Sequence, residues 1–287
     1  MKKITSPCST AILLATYNAE KYLKEQIESL YAQTNQDWTL YIQDDGSRDN
    51  TRKLIADFVA ESNGRIVWID CGLTRQGACL NFMSLLNMVE SRYYMFCDQD
   101  DVWLPEKIEL SVTRMRELED KHSDATPILI HTDRSFVDQN LKLKQQSEWN
   151  PRNRDIQTLK RKIEGLETSN ILAIYSICAG NTMLFNQAAK QVSFPFLNIR
   201  MHDSTLAMKV SSCNGVISAI YEPTVLYRIH ENQTCGVGDN RLLPKLLRFP
   251  KTFSANMMGY YLWKIYGKGS FLKFLYYRCK YFYLLKK

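Results

Sequence analysis

Through the first half of the chain, short apolar runs bounded by polar turns alternate with stretches whose apolar residues recur every three to four positions. That alternation predicts successive β-α units around a mostly parallel central sheet, an α/β fold. Ala11–Thr16 reads as a buried strand, Glu20–Ala32 as a helix with Leu23, Ile27 and Leu30 on one stripe, and Trp38–Gln43 as a second strand. Asp49 is placed to cap a helix carrying Leu54, Ile55, Phe58 and Val59, and Arg65–Ile69 reads as a third strand. A helix over Leu80–Val89 leads into the strand Tyr93–Cys97; a charged helix then runs from Pro105 to near Glu119, followed by the strand Ile128–Thr132. Beyond it the pattern loosens. Helices are expected near Leu159–Ala173 and Asp203–Val210, strands at Thr182–Phe185, Val216–Ile220 and Thr224–Tyr227, and a polar surface or ligand-binding loop over Gln145–Asp155.

Two acidic clusters fall at strand ends. Asp44-Asp45 follows the second strand and Asp98-Gln99-Asp100-Asp101 follows Tyr93–Cys97. Open α/β sheets bind their ligands at the carboxyl ends of strands, so a shared site is expected. Carboxylates as crowded as Asp98, Asp100 and Asp101 repel one another, and burying them calls for a cation. Oxygen ligands select a hard one, Mg²⁺ or Mn²⁺. The D-x-D spacing alone fits a solvated acidic turn before the next helix equally well. Asp44-Asp45-Gly46-Ser47 adds acceptors for a nucleoside, and Thr16-Tyr17-Asn18 adds backbone amides near the same crevice.

Composition supports a folded chain: 287 residues, 45% hydrophobic and 23% charged. The formal net charge of +7 is unevenly spread, because Arg241 to Lys287 carries 11 Lys/Arg and no Asp/Glu, leaving 26 basic against 30 acidic residues before it. The expected division is therefore a domain over 1–240 and a basic aromatic helical tail over 241–287. At helical angles, Phe271, Phe274, Leu275, Phe282 and Leu285 share one side of Ser270–Leu285, while Lys273, Lys280, Tyr276, Tyr277 and Tyr283 share the other, with Arg278 and Leu284 as exceptions. Such a tail suits the inner leaflet of a membrane, with an oligomer or packing contact as the alternative; no nucleic-acid motif accompanies it. Pro7 interrupts any leader-like start, no uncharged apolar run is long enough to span a bilayer, and the eight cysteines show no metal-site spacing. The expected location is cytoplasmic and peripheral to the membrane, with reduced thiols.

In combination, Thr16-Tyr17-Asn18-x-Glu20, Gln33-Thr34, Asp44-Asp45-Gly46-Ser47-x-Asp49-x-Thr51, Gly77, Asn81-Phe82, Asp98-Gln99-Asp100-Asp101-x-Trp103, Gly180-x-Thr182, His202-Asp203 and Tyr227-Arg228-x-His230-x-Asn232 resemble the family 2 glycosyltransferases of the GT-A fold, a Rossmann-like nucleotide-sugar-binding domain. The resemblance covers roughly Thr10 to Thr234. Cys97 before the acidic loop, together with Tyr227-Arg228-x-His230, looks most like the bacterial rhamnosyltransferase-type branch that builds surface polysaccharides. It implies inverting sugar transfer from a dTDP- or UDP-sugar to a glycan or lipid-linked glycan; a nucleotide-sugar-binding component without turnover is the other reading.

By position, the resemblance implies that Thr16, Tyr17 and Glu20 line the nucleotide pocket, with Asp45 and Gln99 beside them. Asp44 would accept a hydrogen bond from a pyrimidine N3–H, Asp98 would face the ribose and Asp100 the metal, with Asp101 shaping the loop. His230 would contact the metal or the diphosphate, and Asp203 would be the general base. The residues alone also allow Asp203 to be a helix N-cap, since Ser204, Thr205 and an apolar stripe follow it. Two departures stand out: Ser204 and Thr205 take positions where the branch often has bulky aromatics, and Asn181 lies inside the Gly-x-Thr segment.

Overall fold

The computed structural model describes residues 3–70, 72, 74–150, 172, 177–196, 198, 201–230, 260, 264 and 270–276. In chain order they form β1 (Ile4–Thr5), β2 (Thr10–Thr16), α1 (Leu23–Tyr31), β3 (Trp38–Asp44), α2 (Thr51–Glu61), β4 (Ile66–Trp68), α3 (Ala78–Met88), β5 (Val89–Glu90), β6 (Tyr93–Cys97), β7 (Val102–Trp103), α4 (Lys107–His122), β8 (Ile128–Val137), β9 (Leu143–Gln145), a 3-10 turn (Gly180–Thr182), β10 (Met183–Asn186), α5 (Gln187–Ser193), α6 (His202–Ser212) and β11 (Val216–Arg228). The expected helix near Leu159–Ala173 and most of the basic tail lie outside the described residues.

Nine strands form one sheet in the order β4-β3-β2-β6-β10-β8-β11-β7, with β9 beside β8, and β1 and β5 make a separate parallel pair. The expected parallel core is β4-β3-β2-β6. Past β6 the sheet becomes mixed: β10 runs antiparallel to both β6 and β8, β11 returns parallel to β8, and β7 pairs antiparallel with β11. The two strands expected at Val216–Ile220 and Thr224–Tyr227 are one, because register shifts around Pro223 let β11 continue past the break in the apolar pattern.

Side-chain alternation along the strands feeds two cores. Ile12, Leu14, Leu40 and Ile42 pack with Leu23, Ile27 and Leu30 of α1, Ile55 of α2 and Ile108, Val112 and Met115 of α4. Ala11, Leu13 and Tyr41 face the other way, onto Phe82, Leu85 and Leu86 of α3, Ala189 of α5 and Leu206, Ala207 and Val210 of α6. The molecule is thus three layers, helix, sheet and helix. Pairing of Thr16 with Asp44 and of Leu14 with Cys97 brings the carboxyl ends of β2, β3 and β6 to one rim, so the residues after each strand meet there.

Candidate active site

The rim is built first by loop hydrogen bonds. The Asp44 carboxylate accepts from Thr16 Oγ1 at 3.0 Å, Gly46 N at 3.1 Å, Ser47 N at 2.9 Å and Ser47 Oγ, so its four acceptor positions are engaged. Gly46 makes this turn with φ +85°, and a Cβ there would stand 3.0 Å from Thr74 Cβ. Asp45 accepts the backbone N–H of Gln76 and of Gly77, each at 2.8 Å. Gln99 clasps Tyr17 from both sides, accepting its N–H at 2.7 Å and donating to its carbonyl at 3.1 Å, while Tyr17 itself stays 47% exposed. Glu20 accepts from Asn50 N at 2.8 Å. Thr16, Tyr17, Glu20, Asp44, Asp45 and Gln99 therefore come together on one rim. Asp49 is not itself the cap of α2: Asn50 holds that position, and Asp49 instead accepts from Thr51 N and Thr51 Oγ1 at 3.1 and 2.6 Å.

The acidic loop after β6 is different. Burial first, then the charges of Asp100 and Asp203, push the Asp98 carboxyl up to about 7, with Arg134 pulling the other way. No hydrogen bond among the described residues relieves it. Asp101 is fully buried, accepts from Asn181 Nδ2 and, at 3.3 Å, from Arg228 N, and burial beside Asp100 and Asp98 holds its carboxyl well above the usual range. Asn181, a departure in sequence, thus has a partner within the loop. Asp100 meets His230, with Oδ2 2.8 Å from Nε2, and its carbonyl accepts from Arg228 Nε at 2.8 Å.

Asp203 lies in the first turn of α6. Met201 occupies the cap position, so Asp203 is not the helix cap; it accepts from Gly180 N at 3.1 Å and Ser204 N at 2.5 Å. Gly180 makes that approach feasible, since a Cβ there would lie 3.1 Å from His202 Nε2 and 3.5 Å from Asp203 Cβ. His202 is buried between Phe82 and Phe96, at ring distances of 4.4 and 4.6 Å, and burial lowers its pKa, keeping the imidazole neutral.

Arg134 is the site residue that the sequence reading missed. It pairs with Glu148 through Nε at 2.8 Å and Nη2 at 3.0 Å, lies 4.2 Å over the Tyr227 ring and favours ionisation of both Asp98 and Asp101. It sits in the portion of β8 beyond Thr132, where the apolar pattern ends but pairing with β11 continues. Its signal was a charged residue directly after the buried Asp133, which accepts from Ser147 Oγ and from the N–H groups of Glu148 and Trp149.

Among the described residues no group of three or more His, Cys, Asp or Glu is placed to hold a metal ion. A cation whose other ligands come from a diphosphate and water needs only one or two protein ligands, however. The mutual repulsion of Asp98 and Asp100 and the proximity of Asp100 to His230, whose side chains keep 18% and 13% exposure, fit such an ion.

Comparison with known proteins gives this arrangement a lineage. An Escherichia coli UDP-Glc:alpha-D-GlcNAc-diphosphoundecaprenol beta-1,3-glucosyltransferase is 32% identical over 105 residues, 37% of this chain and 40% of that protein. A Shigella flexneri dTDP-rhamnosyl transferase is 33% identical over 102 residues, 34% of this chain and 35% of that protein. The chain thus spans less than half the length of either relative. Among solved structures, the mannosyltransferase PcManGT from Pyrobaculum calidifontis in complex with GDP-Man and Mn²⁺ superposes with a TM-score of 0.58 at 14% identity, covering 93% of this chain and 77% of that one, a likeness of fold. The fold is GT-A-like, an α/β arrangement with a mixed sheet. The pattern of Glycosyl transferase family 2 matches residues 11–179, more than half of the sequence, and the chain belongs to that family.

Proposed function

We propose that the chain transfers a sugar from a nucleoside diphosphate donor to a hydroxyl of a glycan or lipid-linked glycan, inverting the anomeric centre. The observation that carries this reading is the meeting of two separately anchored carboxylate sets: Gly180 N–H holds Asp203 of α6 at 3.1 Å, and the next residue, Asn181, donates to Asp101 in the loop after β6. A direct displacement needs a base on the acceptor side and charge compensation on the diphosphate side.

In this mechanism Asp203 accepts the proton of the attacking hydroxyl. Its two carboxylate oxygens are oriented by Gly180 N–H and Ser204 N–H, leaving lone pairs for that proton. The acceptor oxygen bonds to the anomeric carbon as the bond from that carbon to the diphosphate breaks. Asp98 receives the ribose and Tyr17, Glu20, Asp45 and Gln99 shape the nucleotide pocket. For Asp44 to accept a pyrimidine N3–H, Thr16 Oγ1 or Ser47 Oγ has to turn away, because both now donate to it. Asp100 and His230 would hold Mn²⁺ or Mg²⁺, which would supply Lewis acidity for the leaving diphosphate.

For the donor we favour dTDP-L-rhamnose, on the matched Tyr227-Arg228-x-His230 pattern and the similarity to the Shigella protein; the similarity to the Escherichia protein supports a UDP-sugar instead. For the tail we favour contact with the inner leaflet of the membrane, as a peripheral attachment. Phe271, Leu272, Leu275 and Tyr276 are exposed around the buried Phe274, the sequence from 241 to 287 carries 11 basic residues, and no helix among the described residues is long and apolar enough to cross a bilayer. Incubation with dTDP-L-rhamnose, UDP-glucose and UDP-N-acetylglucosamine, Mn²⁺ and a diphosphoundecaprenol-linked acceptor should give transfer from one donor. Binding of a donor with no turnover on any acceptor would favour a non-catalytic role.

A further inference from the structure

We propose that Arg228 is a positioning residue that sets both candidate metal ligands, Asp100 and His230, as one unit; the inference rests on the reading of that pair as the metal site. Arg228 is 1% exposed at the end of β11. Its guanidinium donates through Nε to the Asp100 carbonyl at 2.8 Å, through Nη1 to the Gln139 carbonyl at 2.6 Å and through Nη2 to Glu25 of α1. Its own N–H adds the bond to Asp101 Oδ1. One side chain therefore ties the acidic loop to α1 and to the turn between β8 and β9.

The second ligand is coupled through a ring. The guanidinium carbon lies 4.4 Å from the centre of the Tyr22 ring, and that ring packs against His230 at 5.2 Å with a 42° tilt. Between them Ile229 N donates to Val137 O at 2.8 Å, so the extended pairing continues past β11. Arg228 and His230, two residues apart in extended backbone, emerge on the same side. The side chain that fixes the Asp100 backbone thus also buttresses the imidazole through Tyr22.

Lysine is a poor substitute for this fork. Its ammonium is a point charge and cannot hold the Asp100 carbonyl, the Gln139 carbonyl and the Glu25 carboxylate in their separate directions while covering Tyr22. Arg228 touches no reacting atom in this scheme; it acts by removing freedom from the two groups that do the binding.

The test is Mn²⁺ affinity, read by electron paramagnetic resonance of the free ion with UDP or dTDP as the diphosphate probe. Arg228→Lys should weaken Mn²⁺ binding by about 10- to 100-fold, the range for residues that orient metal ligands. Affinity for either nucleotide without Mn²⁺ should stay at the wild-type value, a separation that general loosening of the fold would not produce. Tyr22→Phe should bind Mn²⁺ as wild type and Tyr22→Leu should bind it more weakly. If Arg228→Lys does not fold, Glu25→Gln reads the same coupling from a half-exposed residue, with weaker Mn²⁺ binding and an unchanged melting temperature. Wild-type Mn²⁺ affinity in Arg228→Lys, or in both Glu25→Gln and Tyr22→Leu, overturns the inference and leaves the proposed activity standing. Absence of Mn²⁺ binding by the unaltered chain with either nucleotide overturns the metal reading itself.

Discussion

Asp44-Asp45 and Asp98-Asp100 look alike in sequence, two acidic clusters at the ends of parallel strands, yet their surroundings divide them. Asp44 is surrounded by four donors and Asp45 by two backbone amides, so these carboxylates build turns first, and Asp44 takes a further partner only when a hydroxyl turns away. Asp98 has burial and like charge instead, and Asp100 faces an imidazole across 2.8 Å. A carboxylate satisfied by loop donors shapes the pocket, whereas one buried among like charges gains most from a cation or a substrate donor that offsets them. The difference lies in the donors supplied by neighbouring loops and not in the acids themselves.

Substitutions can break or sharpen this contrast. The largest effect is expected from Asp203→Asn, which keeps the shape but removes the base: turnover should fall by about 10²- to 10⁴-fold, with a stability loss of about 1–3 kcal/mol because one of the two backbone N–H groups it holds loses its acceptor. A variant retaining more than a tenth of wild-type turnover would remove Asp203 from the proton transfer. Asp45→Ala should act on folding, leaving two amides without their acceptor and costing about 1–3 kcal/mol in urea unfolding. A loss below a few tenths would mean that water replaces the carboxylate and that the turn is not built by it.

Lys107 probes the core beneath the acidic loop. It is fully buried, its Nζ has no hydrogen-bond partner among the described residues, it stands 4.7 Å from the Trp103 ring centre, and burial drives its pKa down to about 7. Below pH 7 both folded and unfolded chains carry the proton; between 7 and about 10.4 only the unfolded chain does, so this lysine's contribution to stability rises with pH across that window. Lys107→Met should therefore stabilise by on the order of 2 kcal/mol at pH 6, with the advantage shrinking toward pH 10. A pH-independent difference in denaturant unfolding would contradict the assigned shift. The smallest effect is expected from Gln99→Ala, which releases two hydrogen bonds at the exposed edge and should cost about 1 kcal/mol. A measurably larger loss would put the clasp on Tyr17 with the bonds that build the turns.

The parallel half of the fold was legible because its strands are buried on both faces and their helices are amphipathic: Tyr93–Cys97 has the bounds expected of it, and Ala11–Thr16 differs by one residue. α5 was not foreseen; it has only seven residues, and the signal that begins it is Asn186, whose side chain accepts from Ala189 N. The candidate residues were found through strand ends and the family resemblance; the structure gathers Thr16, Tyr17, Glu20, Asp44, Asp45 and Gln99 on one rim and sets Asp98 near Asp100 and Asp203. What stayed invisible was the support. Arg228 was read only as part of a pattern, and its partner Glu25 lies 203 positions away. Arg134 was missed because apolar periodicity stops at Thr132 while the strand does not. Long-range polar pairs leave no periodic trace in a single sequence, so the chemistry was easier to read than the framework that holds it.

The reversed direction of β10 has a consequence for how such an enzyme could diversify. Met183 pairs with His131 and Phe185 with Leu129, so β8 leaves the sheet and β10 re-enters it at the same rim, the one that holds Asp98. The chain between Val137 and Gly180 therefore starts and finishes at that rim, and where it is described it carries framework contacts: β9 pairs with β8, Glu148 holds Arg134, and Trp149 and Leu172 lie in the core that contains Phe82. Added length between those contacts costs folding little, because the closure penalty grows only slowly with length, whereas loss of the contacts themselves does not come free. Under the proposed function, new acceptors could be tried at this port in the rim while the parallel strands β2, β3 and β6 stay as they are.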